Sequence, residues 1–557
     1  MRTRNYVVLF AIAVIILLGV ATQESVPGYM DADYYYASGL RIANSRSWDE
    51  PFLWNYLGDP EGLPYPAFTY WMPMAGIVSA IGITLTGLPN FWGAKLGFVL
   101  IACCLVPFTA YLSFSFTPKR WAALLAGALA LCSGFYYAYL PTTETFGIYM
   151  ILGCFFFLLV MKLQKDANHL HQLFYSEKKI EKDNKIDSLT SRPWIYLSMG
   201  VIVGVMYLTR ADGIIWLGMG LAAIILQGYS RYRNPYRHED RNKHPVYLWL
   251  PIILSCAAFL ITISPWILRN LFSFGSIFAP GIGRVVWLTA YDDFYTFPAS
   301  QLTFERWLSS GIVEILRVRA WAFGLNALTA FAVQGSIFLA PLIVAGMWTY
   351  RKDWRVSIGV GGWIVVLLGM TLIFPFQGAR GGFFHAGAGF QPLLWALVPA
   401  GLQVFISWVS KFRNWEVKRA IKLFAGGVVG LAFVMTIFVT WQRLISDNSS
   451  NPTWGKSELA YLEVEAFLDA QDVPAGVVVM VNNPPGYYAM TGRQAIVIPN
   501  GGLQTSLFAA QKYHAGYLIL DENYPQGLGE IYLTPGDYPG ISYLDTIQQM
   551  QIYLVEQ

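Results

Sequence analysis

Long apolar runs broken by short polar punctuation dominate the first 440 or so residues, and most are long enough to predict membrane-crossing helices. They fall at 7–22, 68–88, 92–115, 121–138, 145–161, 194–209, 213–228, 247–267, 326–349, 356–376, 389–409 and 420–441. Past residue 443 the apolar stretches shrink to strand length and turn dipeptides separate them. There Ser457 to Ala470 and Leu503 to Tyr513 read as helices. Gly476 to Val481, Ala495 to Ile498 and Tyr517 to Leu520 read as short buried strands. This alternation predicts a small α/β domain over 443–557 behind a transmembrane domain over 1–442.

Basic residues orient the bundle, because Lys and Arg beside span ends are retained in the cytoplasm. With Arg2 and Arg4 inside and 68–88 not crossing, 24 of the 38 Lys and Arg face the cytoplasm. The inner segments are then Lys119 and Arg120, 162–193, Arg231 to Lys243, Arg351 to Arg355 and Lys411 to Lys422. A crossing at 68–88 would turn all of these outward. The pattern therefore predicts eleven spans in the plasma (inner) membrane, a cytoplasmic N-terminus and an extracytoplasmic C-terminal domain. Tyr65 to Leu88, punctuated by Pro66, Pro73, Gly76, Gly82 and Gly87, predicts juxtamembrane helices along the outer interface. The first span is either an anchor or a signal peptide with a weak site at Gly19-Val20-Ala21. The polar stretch 164–192 predicts a solvated cytoplasmic loop.

Composition narrows the class. Of 557 residues 55% are apolar and only 13% charged, against about 25% charged in a soluble domain. That excludes disordered chains, collagen and small disulfide scaffolds. The net charge of +4 is spread over loops, which leaves no platform for nucleic acid. Cys103, Cys104, Cys132, Cys154 and Cys256 all fall inside apolar spans and serve as small hydrophobes.

The spans carry almost no ionisable group at mid-depth, where an ion-coupled transporter needs one. Carboxylates and arginines gather instead at the outer span ends, where a membrane-anchored donor would present a polar head. The first outer loop opens Met30-Asp31-Ala32-Asp33-Tyr34-Tyr35-Tyr36. Helical residues two apart diverge by about 200°, so Asp31 and Asp33 share a ligand only in a turn or extended segment. Either one of them faces the site, or Asp31 caps a juxtamembrane helix. In the second outer loop, Pro141-Thr142-Thr143-Glu144-Thr145, Glu144 either caps a helix or completes an acid pair with Asp31. In the third, Thr209-Arg210-Ala211-Asp212-Gly213, Arg210 pairs with Asp212 or clamps a phosphate bidentately. A long aromatic loop follows Ser264-Pro265-Trp266-Ile267-Leu268-Arg269-Asn270 and carries Tyr291-Asp292-Asp293; it could close as a lid. In Phe376-Gln377-Gly378-Ala379-Arg380-Gly381-Gly382-Phe383-Phe384-His385 the glycines admit close backbone approach, and Arg380 and His385 add donors for an anion. Interfacial snorkelling is the alternative for Arg269 and Arg380.

The order of an N-terminal span, an acidic opening to the first outer loop, the stretch Pro66-Ala67-Phe68-Thr69-Tyr70-Trp71 and an acid in the second outer loop resembles the GT-C membrane glycosyltransferases. Protein O-mannosyltransferases and the aminoarabinose transferases of lipid A are the most similar. The resemblance is best over the first 160 residues and, by topology, extends over the membrane part. It implies a mainly α, polytopic bundle of the cell envelope that moves a sugar from a polyprenyl-phosphate donor, with inversion, to a protein, lipid or glycan acceptor outside. It implies Asp31 as general base, with Asp33 as the open alternative, and Glu144 as the second acid. Arg210, Arg269 and Arg380, with Asp212, His385 and Tyr70, are the candidates for holding the donor phosphate. Relatives differ over metal; a divalent Mg or Mn on Asp31, Asp33 and Glu144 is compatible with the motif but not required by it. The chain lacks a Trp-Trp-Asp motif, so oligosaccharyl transfer to asparagine is the lesser variant. The rival class is a non-enzymatic lipid-linked sugar transporter or flippase, which calls for the mid-span polar groups this chain lacks.

Overall fold

A computed structural model describes residues 1–175, 192–232, 244–445 and 454–556. The first nine α-helices are α1 (Thr3–Ala21), α2 (Met30–Ser45), α3 (Met74–Thr86), α4 (Phe91–Phe116), α5 (Arg120–Leu131), α6 (Thr145–Tyr175), α7 (Pro193–Thr209), α8 (Ile214–Tyr232) and α9 (His244–Phe274). Eight helical stretches of the described residues are long and apolar enough to cross a membrane. Five lie in α1, α4, α6, α8 and α9; the others are Trp354–Ile373, Gln391–Arg413 and Val417–Leu444. The chain is an integral, multi-pass membrane protein of mainly α structure. The other three expected crossings fall on shorter apolar helices, α5, α7 and Ala340–Thr349.

Three local departures have physical causes. The segment expected to span at 326–349 is not one helix: Ile312–Leu328 runs into a π-helical turn, Thr329–Gln334, and a break precedes Ala340–Thr349. Buried Gln334 sits at that break, accepting from Trp363 Nε1 at 2.6 Å through its side chain and from Gln391 Nε2 at 3.0 Å through its carbonyl. Such bonds satisfy the backbone groups that a broken helix would otherwise leave bare in an apolar bundle. The polar loop expected over 164–192 begins later, since α6 continues as helix to Tyr175; the rest lies outside the described residues, as does most of the basic stretch Arg231 to Lys243. The expected juxtamembrane segment opens on a strand, β3 (Tyr65–Pro66), paired antiparallel with the earlier β1 (Asp49–Glu50), and holds α3, whose 13 residues pack between α2 and α4. At 1.5 Å per residue α3 is about 20 Å long, short of the hydrocarbon thickness.

After Leu444 the chain builds the C-terminal α/β layer. Helices Lys456–Ala470 and Leu503–Tyr513 and strands β4 (Val478–Val481), β5 (Ala495–Val497) and β6 (Ala515–Leu520) form where the hydrophobic pattern places them. A hairpin, β7 (Ile541–Ile547) and β8 (Met550–Val555), adds two antiparallel strands. The sixth strand comes from the loop between α2 and α3: β2 (Phe52–Leu53) pairs in parallel with β5 and makes the sheet order β2-β5-β4-β6-β8-β7. Side chains follow that pairing. Leu53, Tyr56 and Leu57 share one core with Ile496, Leu518 and Tyr553. The Tyr56 hydroxyl donates to the Val497 carbonyl at 2.5 Å, and that of Tyr513 to the Pro60 carbonyl at 2.8 Å.

Candidate active site

Gly28 turns the chain out of α1 with φ +88°, and a Cβ there would lie 2.3 Å from the Trp454 indole. Tyr29 is extended (φ −168°), so α2 begins at Met30 and Asp31 falls in its first turn. A carboxylate there also meets the positive end of the helix dipole. Because α2 is helical, Asp33 points elsewhere: it is fully buried against Glu458, and its Oδ2 accepts from Asn483 Nδ2 at 2.8 Å.

The loop before α6 is tied to the same helix, the Thr143 hydroxyl donating to the Ala32 carbonyl at 2.7 Å. This sets Glu144, 1% exposed, beside Asp31. Its Oε1 accepts from the Thr145 backbone N–H at 2.5 Å and the Thr145 hydroxyl at 2.7 Å, and its Oε2 from the Tyr29 hydroxyl at 3.1 Å. The third element is the short helix Phe383–Ala388. It comes close to α6 because Gly153 has no side chain; a Cβ there would sit 2.0 Å from the Gly389 carbonyl oxygen. His385 then stacks on Phe146 at 4.2 Å between ring centres. Its Nε2 lies 3.6 Å from Asp31 Oδ2 and its Nδ1 3.7 Å from Glu144 Oε1, both too long for hydrogen bonds. His385 Nδ1 is buried and has no hydrogen-bond partner.

Arg210 faces this group from the α7–α8 turn. Its Nη2 and Nε donate to Asp212 Oδ2 at 2.9 and 3.1 Å, and Tyr149 donates to Asp212 Oδ1 at 2.7 Å. Asp212 thereby orients the guanidinium, whose charge still acts on Asp31, Glu144 and His385. Tyr70 and Tyr35 both lie in the field of Asp31 and Arg210. Arg380 stands one ring away, 5.0 Å from the centre of Tyr291, itself in the field of Asp31.

Two sequence candidates stand apart from this cluster. Asp33 is turned toward the C-terminal layer by its position in α2. Arg269 stacks on Trp266 and Phe274 at 4.9 and 5.1 Å and donates to the Ala67 carbonyl and, at 2.9 Å, to Asn270 Oδ1. Its carboxylate neighbour is Glu50 rather than Asp31. The sequence pattern assigns no individual role to Tyr29, Tyr35, Tyr149 or Tyr291. Tyr29 precedes Met30-Asp31 directly, and Tyr149 follows Glu144 by a little over one helical turn; those spacings were the available signals.

Electrostatics set the protonation. Asp31 keeps 31% of its side chain exposed. Burial and the neighbouring Glu144 still push its carboxyl up to about 8, against the pull of Arg210. Burial raises Glu144 as well, opposed by its hydrogen bonds from Thr145 and Tyr29. Burial, then Arg210, holds His385 well below its ordinary value, so its imidazole is neutral at neutral pH. One carboxylate oxygen or imidazole nitrogen from each of Asp31, Glu144 and His385 lies within 4.8 Å of the others. Two carboxylates and a neutral imidazole with an unpartnered nitrogen fit a divalent cation. The imidazole shifts the preference from Mg, which takes oxygen ligands, toward Zn or Mn. The third member of this set is His385, not Asp33, because the helical backbone at 31–33 separates the two aspartates.

No protein-family model matches the sequence, and no curated protein does. Solved structures do match in fold. An oligosaccharyltransferase of Archaeoglobus fulgidus, in complex with Zn and sulfate, superposes with a TM-score of 0.54 at 14% identity, over 99% of this chain and 73% of that one. ArnT from Cupriavidus metallidurans superposes in its apo state with a TM-score of 0.52 at 12% identity, over 100% of this chain and 98% of that one. ArnT bound to undecaprenyl phosphate gives 0.51 at 12% identity, over 99% and 98%. At such identities the likeness is one of architecture. The chain has a GT-C-like fold.

Proposed function

We propose that the chain is a membrane glycosyltransferase that moves a sugar from a polyprenyl-phosphate-linked donor to an acceptor hydroxyl on the extracytoplasmic face, inverting the anomeric carbon. The observation that carries this reading is the convergence of Asp31, Glu144, His385 and Arg210 from four separate segments at one end of a GT-C-like bundle. The far ends of the same helices carry the basic side: Lys119 donates to Gln403 at 3.0 Å beyond α4, and Arg355 pairs with Asp353 and bonds Ser115 of α4. That arrangement supports a cytoplasmic N-terminus, with the site and the C-terminal layer outside the inner membrane. The undecaprenyl phosphate bound by ArnT supports the donor class.

In this reading the acceptor oxygen attacks the anomeric carbon as the bond from that carbon to the phosphate oxygen breaks. Asp31 takes the hydroxyl proton, and polyprenyl phosphate leaves with the bonding pair. Arg210, held by Asp212, matches the phosphate oxygens and offsets the charge developing there. Glu144, fixed by Thr145 and Tyr29, raises the proton affinity of Asp31 and so maintains the basicity of the base. A cation on Asp31, Glu144 and His385 would supply additional charge stabilisation near the phosphate. The cluster could also position a lipid phosphate without chemistry, as in a flippase. Donor turnover in membranes containing native acceptors separates the two. Asp31→Asn should lower the release of polyprenyl phosphate from a polyprenyl-phosphate sugar by about 10²- to 10⁴-fold. Unchanged turnover in a folded Asp31→Asn protein would remove Asp31 as the base, and no turnover in the parent would leave the non-enzymatic reading.

A further inference from the structure

A cavity of about 350 Å³ opens between the start of α2 and the C-terminal layer, within the size range of small-ligand sites. One wall is Tyr29 and Met30, the two residues before Asp31; Tyr295 lines another side and lies in the field of Asp31. The cavity therefore opens at the N-terminal end of α2, one residue from Asp31 along the chain.

Its lining is polar in a particular way. Asn482, Asn483, Asn500 and Asn523 are among the residues that line it. Each amide carries two donor hydrogens and an acceptor oxygen in one plane, which matches the alternating donor and acceptor character of neighbouring hydroxyls. Asn483 is engaged with Asp33 and with the Gly486 N–H, and Asn482 donates to Asp521. Among the described residues the side-chain amides of Asn500 and Asn523 make no hydrogen bond within the chain. Tyr461, only 1% exposed, lines the same cavity with its hydroxyl unpartnered. A buried hydroxyl with no partner costs stability unless something completes it. Tyr295, Tyr461 and Tyr524 add aromatic surface for the apolar faces of a sugar ring. The charged side chains are Asp292, Glu458 and Asp521 against Lys456 alone, so the cavity carries an acidic surplus that disfavours anionic ligands.

We infer that this cavity is the acceptor subsite and that it takes a neutral, hydroxyl-rich glycan segment at the end of α2 that carries Asp31. The inference rests on the glycosyl-transfer reading for its role and on the cavity alone for its ligand. It excludes phosphorylated head groups as the preferred acceptor and favours carbohydrate over a peptide.

Saturation-transfer NMR on the full chain in nanodiscs tests it, with neutral gluco-, manno- and galacto-oligosaccharides of two to four units as probes. The comparison probes are their phosphorylated counterparts and a Ser/Thr-rich peptide. At least one neutral oligosaccharide should bind, and the Asn500→Ala/Asn523→Ala pair should weaken it by about fivefold to tenfold. Tyr461→Phe, which removes a single oxygen, should weaken it in the same sense while leaving the melting temperature near that of the parent, which controls for misfolding. Failure of every neutral probe, binding that the amide variants do not alter, or preference for the phosphorylated sugars or the peptide would each overturn the assignment. Failure of the glycosyl-transfer reading is seen separately, as absent donor turnover in a protein that still binds the oligosaccharide.

Discussion

Asp31 owes its proposed role to neighbours that raise its proton affinity, and pH should report this directly. With the carboxyl pushed up to about 8 by burial and by Glu144, most Asp31 is protonated at pH 7 in cation-free protein. The rate of donor turnover should therefore climb through pH 7 to 9. A cation on Asp31, Glu144 and His385 favours the ionised carboxylates, so Mn²⁺ or Zn²⁺ after chelation should move that limb to lower pH, and His385→Ala should abolish the move. The sign for stability is opposite. A carboxyl with a raised value in the folded state keeps a proton that the unfolded chain releases from about pH 4. Its contribution is fully present below that value and is lost as pH rises toward 8, and Asp31→Asn should flatten this part of the profile of melting temperature against pH. Asp31, Glu144 and Arg210 could be singled out from the sequence because sidedness alone separates outer acids and arginines from inner basic loops. The pairing of His385 with the acids could not, since it depends on the approach of two glycines, Gly153 and Gly389, more than two hundred residues apart.

Among the elements, α2 holds the balance between bundle and C-terminal layer. Asp31 faces one partner, Asp33 the other, and the helix Pro484–Thr491 packs on it. Phe52, fully buried in β2, touches Tyr34 of α2 and Tyr488 at ring distances of 5.9 and 5.6 Å. Phe52→Ala should cost about 3–5 kcal/mol of local stability. Hydrogen exchange would show it as faster exchange in both α2 and β5 with α7 and α9 unaffected; a change confined to β2 would sink this account. Helix Leu503–Tyr513 was readable from its amphipathic spacing. Helix Pro484–Thr491 was hidden because Asn-Pro-Pro-Gly reads as a turn; in the fold Asn483 accepts from the Gly486 N–H and the prolines occupy the first turn, where they are tolerated. The β7–β8 hairpin was hidden because its turn places Gln548 and Gln549 at φ 45° and 70°, a conformation usually signalled by Asn or Gly.

For the molecule as a whole, the orientation is the property every site argument shares. On the proposed orientation a Lys119→Cys variant should resist an impermeant thiol reagent in intact cells and react after permeabilisation, whereas a cysteine at the exposed Glu522 (Glu522→Cys) should react at once. The reverse pattern would place the acids in the cytoplasm, away from an outward-facing donor. The bundle was evident from hydropathy because apolar length and charge asymmetry are local to each segment. The sheet was only partly so: two residues, Phe52 and Leu53, carry no strand signal of their own and pair because β5 offers them an edge.

That borrowed edge strand also sets an order of assembly. Tyr56 and its partner carbonyl on Val497 are 441 positions apart, so the ribosome makes one side of the contact long before the other. Until the last segment is made, the early loop waits with unpaired backbone amides and a bare aromatic face, and β5 emerges with a docking place already waiting for it. On the proposed orientation, chains halted before that point should engage extracytoplasmic chaperones through the stretch around Phe52 and let go of them once the C-terminal layer arrives.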